Sequence, residues 1–324
     1  MGEVQGQIFA CLRGVCSVTI AGMSLWLVWS LLSAPVEGPG PTVWAQSGGS
    51  PWTTCRERER QAEVLLQRVS TRTDESSDTP WAAAARECPN APAVLVLAAM
   101  RSLLMIPTYP SGAELIDYLP ELAKAHRDSR RQARTWLRRA LVEADRRGEP
   151  APVLTHYFLA YAALGLGEPE VARTELARAA GRGEVEGWRA DRASAVAALL
   201  SGDLQGALDL AYRARELAPA SDRPTSVFIL ALVYDRAGAP EAALREMTAL
   251  RSQGVERSAA DTLLPLHERL YLDALDQQSK RNPGSAIRYW EAYLACPEPE
   301  APERKLALRR LAELRPRGSV VPSG

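Results

Sequence analysis

With 324 residues the chain is long enough to bury a sizeable core, in one large domain or two ordinary ones. Lys plus Arg and Asp plus Glu stand equal at 39 each, which removes the basic field that nucleic acid needs and the acidic field that would draw basic partners. Aromatic residues make up only 6% and Phe occurs three times, so small and straight side chains must do the packing, which favours helix against helix over a sheet.

At the N-terminus, Gly14 to Val36 carries no charge and Arg13 precedes it. The breaker-rich Pro35 to Pro41 follows, and then the small-residue pattern Val43-Trp44-Ala45. This reads as a secretory signal cleaved after Ala45, so that residues 1–45 are an address and not part of the fold. An apolar run of about 20 residues can also stay in place as an inner-membrane anchor, with Arg13 on the cytoplasmic side. Both readings export the bulk of the chain to the periplasm or beyond, and confine membrane contact to residues 15–36. Cys11 and Cys16 lie before or at the start of the apolar run, which argues against lipid attachment. Nearly all positive charge is Arg, with Lys124, Lys280 and Lys305 the exceptions; a coding bias explains this, and no guanidinium function is read into it.

Residues 46–110 are expected to form an atypical, capping N-terminal helical region. Cys55 to Thr71 reads as one helix, Pro80 to Glu87 as a shorter one capped by Thr79, and Ala91 to Met105 as an apolar helical run. In an oxidising compartment Cys55 and Cys88 form a disulfide if their helices are antiparallel neighbours; otherwise they are two small buried hydrophobes. Cys296 stays unpaired in both cases. No C-x-x-C occurs, so a thioredoxin-like site has no support.

Ser111 with Glu114 three residues later is a capping-box signature, which predicts a helix starting near Gly112 that Pro120 breaks or kinks. From there a period emerges. One helix carries Leu159, Ala160, Tyr161 and Ala163, Gly167 stops it, Pro169 starts the next, and Ala172, Leu176 and Ala179 recur one turn apart. The same arrangement returns with Gly202-Asp203 before Ala207, Ala211 and Ala214, and with Gly238 and Pro240 before Ala243, Met247 and Leu250. A weaker copy precedes it at Ala133, Leu137 and Ala140, and a looser one follows at Pro283, Ala286 and Trp290. Gly167, Gly202 and Gly238 suit the left-handed helix stop, Asp203 suits a cap, and Pro169 and Pro240 suit a first turn.

The steps between Ala133, Ala172, Ala207, Ala243 and Ala286 are 39, 35, 36 and 43 residues, around the period of about 34 of a helix-turn-helix repeat. On these residues the chain resembles the tetratricopeptide-repeat (TPR) family, best between Val153 and Gly254. It departs from the family pattern where His156, Asp191 and Val227 replace the usual large residue and Ala160, Ala195 and Ala231 the facing Gly. The resemblance implies an all-α fold, a right-handed α-solenoid of antiparallel helix pairs over residues 111–300, closed by a charged helix from Pro302 to Leu314 and a disordered tail within 301–324. It also implies a concave wall lined by the first helix of each pair, whose binding candidates are Tyr157, Tyr161, Arg189, Arg192, Phe228, Asp235, Arg236 and Tyr271.

No pattern carrying chemistry stands out. His126, His156 and His267 lack metal-site spacing, Gly165-Leu166-Gly167 ends a helix instead of following a strand, and no Gly-x-Ser-x-Gly or Walker-type Lys occurs. Neither metal nor cofactor is expected. Carboxylates such as Glu170 and Glu175 read as solvated helix faces. The expectation is therefore a non-catalytic exported scaffold that binds a protein or peptide. The alternatives are an envelope assembly factor or chaperone, and an all-helical enzyme using converging carboxylates.

Overall fold

The computed structural model describes residues 55–69, 80–104, 115–252, 263–296 and 301–315. The signal or anchor segment, the caps Thr79, Ser111 and Glu114, and the tail beyond Arg315 lie outside the described residues. The described chain is all-helical, in thirteen helices. They are α1 (Cys55–Val69), α2 (Pro80–Glu87), α3 (Pro92–Leu104), α4 (Leu119–Arg147), α5 (Thr155–Gly165), α6 (Pro169–Gly181) and α7 (Gly187–Leu200). There follow α8 (Leu204–Leu217), α9 (Arg223–Arg236), α10 (Pro240–Ser252), α11 (Leu266–Ser279), α12 (Pro283–Ala295) and α13 (Ala301–Leu314).

Two kinds of helix alternate, and their sequences explain why. In α5 every residue is buried, and α3 and α9 are covered over long unbroken stretches, because their runs of Val, Leu, Ile, Phe and Ala are apolar all round. The even-numbered helices bury one stripe only. Ala133, Leu137 and Ala140 on α4 are spaced i, i+4, i+7, and the same spacing returns as Ala172, Leu176 and Ala179, then Ala207, Ala211 and Ala214, then Ala243, Met247 and Leu250, then Ala286, Trp290 and Tyr293. All of these are buried. Spacings of four and three fall on one face of a helix, so each even helix lays a single seam against its neighbours and leaves the other face to water.

Each helix from α3 to α13 packs on the next one along the chain, and α3, α5, α7, α9 and α11 also touch one another in succession. Side chains the size of a methyl group allow this double row, since Ala160, Ala195, Ala231 and Ala274 are fully buried on the odd-numbered helices. At the N-terminal end α1 and α2 both pack on α3. A disulfide joins Cys55, at the start of α1, to Cys88, just past α2. Cys296 is free and buried.

The turns use one device repeatedly. Gly167, Gly202 and Gly238 have φ of 73°, 77° and 81°. Past each, a backbone amide reaches back to close the helix end: Glu168 to Ala163, Asp203 to Ala198, and Ala239 to Tyr234, each at 2.9 Å. Asp203 then accepts from the amide of Gly206 at 2.9 Å. Pro169 lies in the first turn of α6 and Pro240 begins α10.

One expectation is corrected here. Pro120 does not kink a helix but sits in the first turn of α4, which runs for 29 residues from Leu119, and the expected start near Gly112 lies outside the described residues. A first-turn Pro lacks only an amide that has no helical partner anyway. Among the described residues, no helix is long and apolar enough to cross a membrane.

Candidate functional site

The wall candidates come from the odd-numbered helices, and the structure gathers them into two groups. In the first, Tyr157 and Tyr161 stand one turn apart on α5, so their phenols meet at 3.0 Å and their rings at 4.8 Å. On α7, Arg189 and Arg192 both lie over the Trp188 ring, at 5.0 and 5.1 Å from its centre. Burial pushes the Tyr157 phenol well up, and the neighbouring Tyr161 adds to the shift, so it stays protonated.

The second group joins α9, α11 and α13. Asp235, almost fully buried, accepts from the Tyr271 hydroxyl and from Arg310 of α13. Next to it Arg236 forks onto Glu268 at 2.6 and 2.7 Å and stacks on the Tyr271 ring at 4.0 Å. Burial alone would raise the Glu268 carboxyl, but the Arg236 charge outweighs it and holds the group below the usual carboxylate range. Burial likewise works against Arg236, and Glu268 reverses the effect. Burial, with the Asp235 charge behind it, pushes the Tyr271 phenol far up. At neutral pH Arg236 and Glu268 are therefore an ionised pair, beside a neutral Tyr271 phenol.

The family resemblance implies a concave wall for these residues to line, and in the structure they are covered. Tyr157, Tyr161, Arg192, Phe228, Asp235 and Tyr271 are buried, and the side chains of Arg236 and Arg189 keep only 4% and 12% of their exposure. The cause is packing: α5, α7, α9 and α11 are covered over most of their length by neighbouring helices, so their polar members are enclosed with them.

Other participants were not legible. His126 and Arg130 of α4 are buried one turn apart, with Arg269 and His267 of α11 nearby and the Leu264 carbonyl accepting from the imidazole. Glu184 is buried and accepts from the first-turn amides of α5, His156 at 3.0 Å and Tyr157 at 3.2 Å. Glu175 is not a solvated carboxylate: it takes His156 Nδ1 at 2.7 Å and Arg178 at 2.7 Å, with its side chain 12% exposed. Glu170 does face solvent, paired with Arg173. Arginine is thus structural at Arg58, Arg130, Arg192, Arg236 and Arg310, against the expectation drawn from composition. The nearest sequence signal was the i, i+4 pair His126 and Arg130, which gives no hint of a partner more than 130 residues on.

A cavity of about 200 Å³ lies elsewhere, between α1, the start of α3 and the α4–α5 loop. Glu59, Glu63, Leu66, Pro92, Pro150 and Val153 are among its lining, and no wall residue reaches it. Among the described residues, no three His, Cys, Asp or Glu side chains are grouped to hold a metal ion. Comparison with protein-family models, with curated proteins and with solved structures returned no match.

Proposed function

We propose that the chain is an exported, tetratricopeptide-like helical scaffold that binds a protein or peptide partner in the cell envelope, without catalysing a reaction. The observation that carries this reading is the fivefold return of a buried i, i+4, i+7 stripe on alternate helices, at intervals around 35 residues. Units of that kind leave a face uncovered singly and cover it by stacking, which gives a right-handed solenoid with one row of helices inside and one outside. Such a fold offers extended surface and no built-in chemistry, so its use is recognition; the step from fold to use is analogy.

The buried carboxylates favour this reading over a carboxylate enzyme. Asp235 and Glu268 are each committed to an arginine, and Glu184 to two backbone amides. None is left as a desolvated acid facing a cavity, the arrangement acid-base catalysis requires. Within the wall, the Arg189 side chain keeps 12% of its exposure, against 4% for Arg236, with the other members buried, and it is the proposed first contact for a partner.

The test is residue-specific crosslinking in the producing cell. A photoreactive side chain replaces Arg189 on α7 or, for comparison, Glu241 on the exposed face of α10. The expected result is a protein adduct at 189 and none at 241. Equal adducts at both, or none at 189, would remove the inner row as the binding face.

A further inference from the structure

We propose that Cys55–Cys88 is a reducible latch on the N-terminal helix: a dithiol reductant opens it, and α1 then leaves α3 while the helices from α4 onward stay folded.

The two sulfurs are unlike. Cys55 is exposed at the start of α1, whereas Cys88 is 2% exposed. An incoming thiolate therefore has access to the Cys55 sulfur, and Cys88 must be the leaving group. Its departure is assisted, because Nη1 of the buried Arg58 lies 3.6 Å from Cys88 Sγ while also pairing with Glu87. A guanidinium beside a leaving thiolate stabilises it, and disulfide exchange is faster as the leaving thiol becomes more acidic.

The chemistry balances with a dithiol as the reductant. Its first thiolate bonds to Cys55 and the Cys55–Cys88 bond breaks, leaving the electron pair on Cys88. Its second thiol then displaces Cys55, so the reductant departs as a disulfide and the protein gains two thiols. A monothiol forms the mixed disulfide on Cys55, which Cys88 can close again or a second thiol can displace, so alkylation of Cys88 is needed to trap it.

The rest of the α1 attachment is thin. Of the α1 side chains whose burial is described, Arg58, Ala62 and Leu66 are buried and Leu65 is half-buried against the core, opposite the apolar α3. Its partner by packing is α3, supplemented by Glu59 paired with Arg147 at 3.0 Å. An open cleft of about 200 Å³ runs along Glu59, Glu63, Leu66 and Gln67, so this edge of the helix is uncovered. With two buried apolar side chains and the half-buried Leu65 holding a helix rich in charge, the bridge is the main restraint, and a segment held this way opens locally and not with the whole domain.

Full-length oxidised protein is treated with glutathione or with dithiothreitol at neutral pH, alkylated, and read by peptide mass spectrometry and amide hydrogen exchange. The expected glutathione adduct is on Cys55, in excess over Cys88 by about tenfold or more. After dithiothreitol, amides of α1 should exchange about tenfold faster or more, while those of α5 to α12 do not change. Arg58→Gln should slow reduction several-fold and Arg58→Lys should restore it. The unbridged variant Cys55→Ser/Cys88→Ser should show the fast α1 exchange with no reductant present. Equal adducts on the two cysteines, protected α1 after complete reduction or in the unbridged variant, or loss of helix throughout the chain would each overturn the proposal.

Discussion

The side chain of Arg130 crosses directly over Gly165: a methyl group placed on that glycine would come within 2.2 Å of Arg130 Nε and 2.6 Å of its Cδ. Gly165 is the last residue of α5, and Arg130, on α4, is 1% exposed. The absent side chain is what lets the two helices enclose a guanidinium between them.

Gly165→Ala is therefore expected to destabilise, by about 1 to 3 kcal/mol from overpacking, although Ala in an unhindered helix would gain up to about 1 kcal/mol over Gly. The sign of the change decides between the two effects. Denaturant unfolding of Gly165→Ala in the wild-type and Arg130→Ala backgrounds measures it, and the penalty should vanish when Arg130 is gone.

Glu184 stands in for a local cap. Leu154, which precedes α5, has φ of 71° and gives no side-chain cap, so the first-turn amides rely on a carboxylate from the α6–α7 connection. Glu184→Ala leaves two buried donors without acceptors and should cost about 1 to 3 kcal/mol. Burial raises the Glu184 carboxyl against the pull of those amides, so the neutral isostere Glu184→Gln should lose less than half as much. Hydrogen exchange at His156 and Tyr157 should quicken in the Ala variant alone.

His126 should make the protein acid-sensitive. Burial, then the charges of Arg130 and Arg269 and the neighbouring His267, lower its pKa from 6.5 to about 2, against a raising contribution from the Leu264 carbonyl. A depressed folded pKa means the unfolded chain takes up the proton first. Its contribution is complete above pH 6.5 and is lost as pH falls towards 2, at about 1.4 kcal/mol for each pH unit below 6.5. Urea unfolding at pH 7, 6, 5 and 4 should show this slope, and His126→Gln should flatten it by that amount. An unchanged slope in the variant would exclude a neutral buried imidazole.

Arg310 fastens α13 through Asp235, which is buried with Tyr271 as its other donor. Arg310→Met leaves that carboxylate without its counter-charge and should cost about 3 to 5 kcal/mol. Adding Asp235→Asn removes the orphaned charge, and the double variant should recover most of the loss. Simple additivity of the two substitutions would show that the pair is not coupled.

Much of the helical scaffold was legible because its signals are local. A Gly stop, a first-turn Pro, an Asp cap and a seam of Ala at i, i+4, i+7 each act within a turn or two of the chain. Pro120 reads in the sequence as a helix breaker and instead starts a helix, because a first-turn Pro and a helix-breaking Pro look alike until the helix boundary is known. The candidate site was legible only in part. Tyr157 with Tyr161 and Asp235 with Arg236 could be picked out only through the family resemblance, by their positions on the first helix of each pair.

What tertiary structure alone decided was the fate of the charges. Arg236 finds Glu268, Arg310 finds Asp235, Glu184 finds the start of α5, and His126 comes to lie beside α11, all across separations of 27 residues or more. Helix periodicity says which face a residue occupies and nothing about what later arrives opposite it. The pattern of apolar residues could therefore determine the alternating helices, whereas only their packing could turn a wall of tyrosines and arginines inward and match each buried charge with its partner.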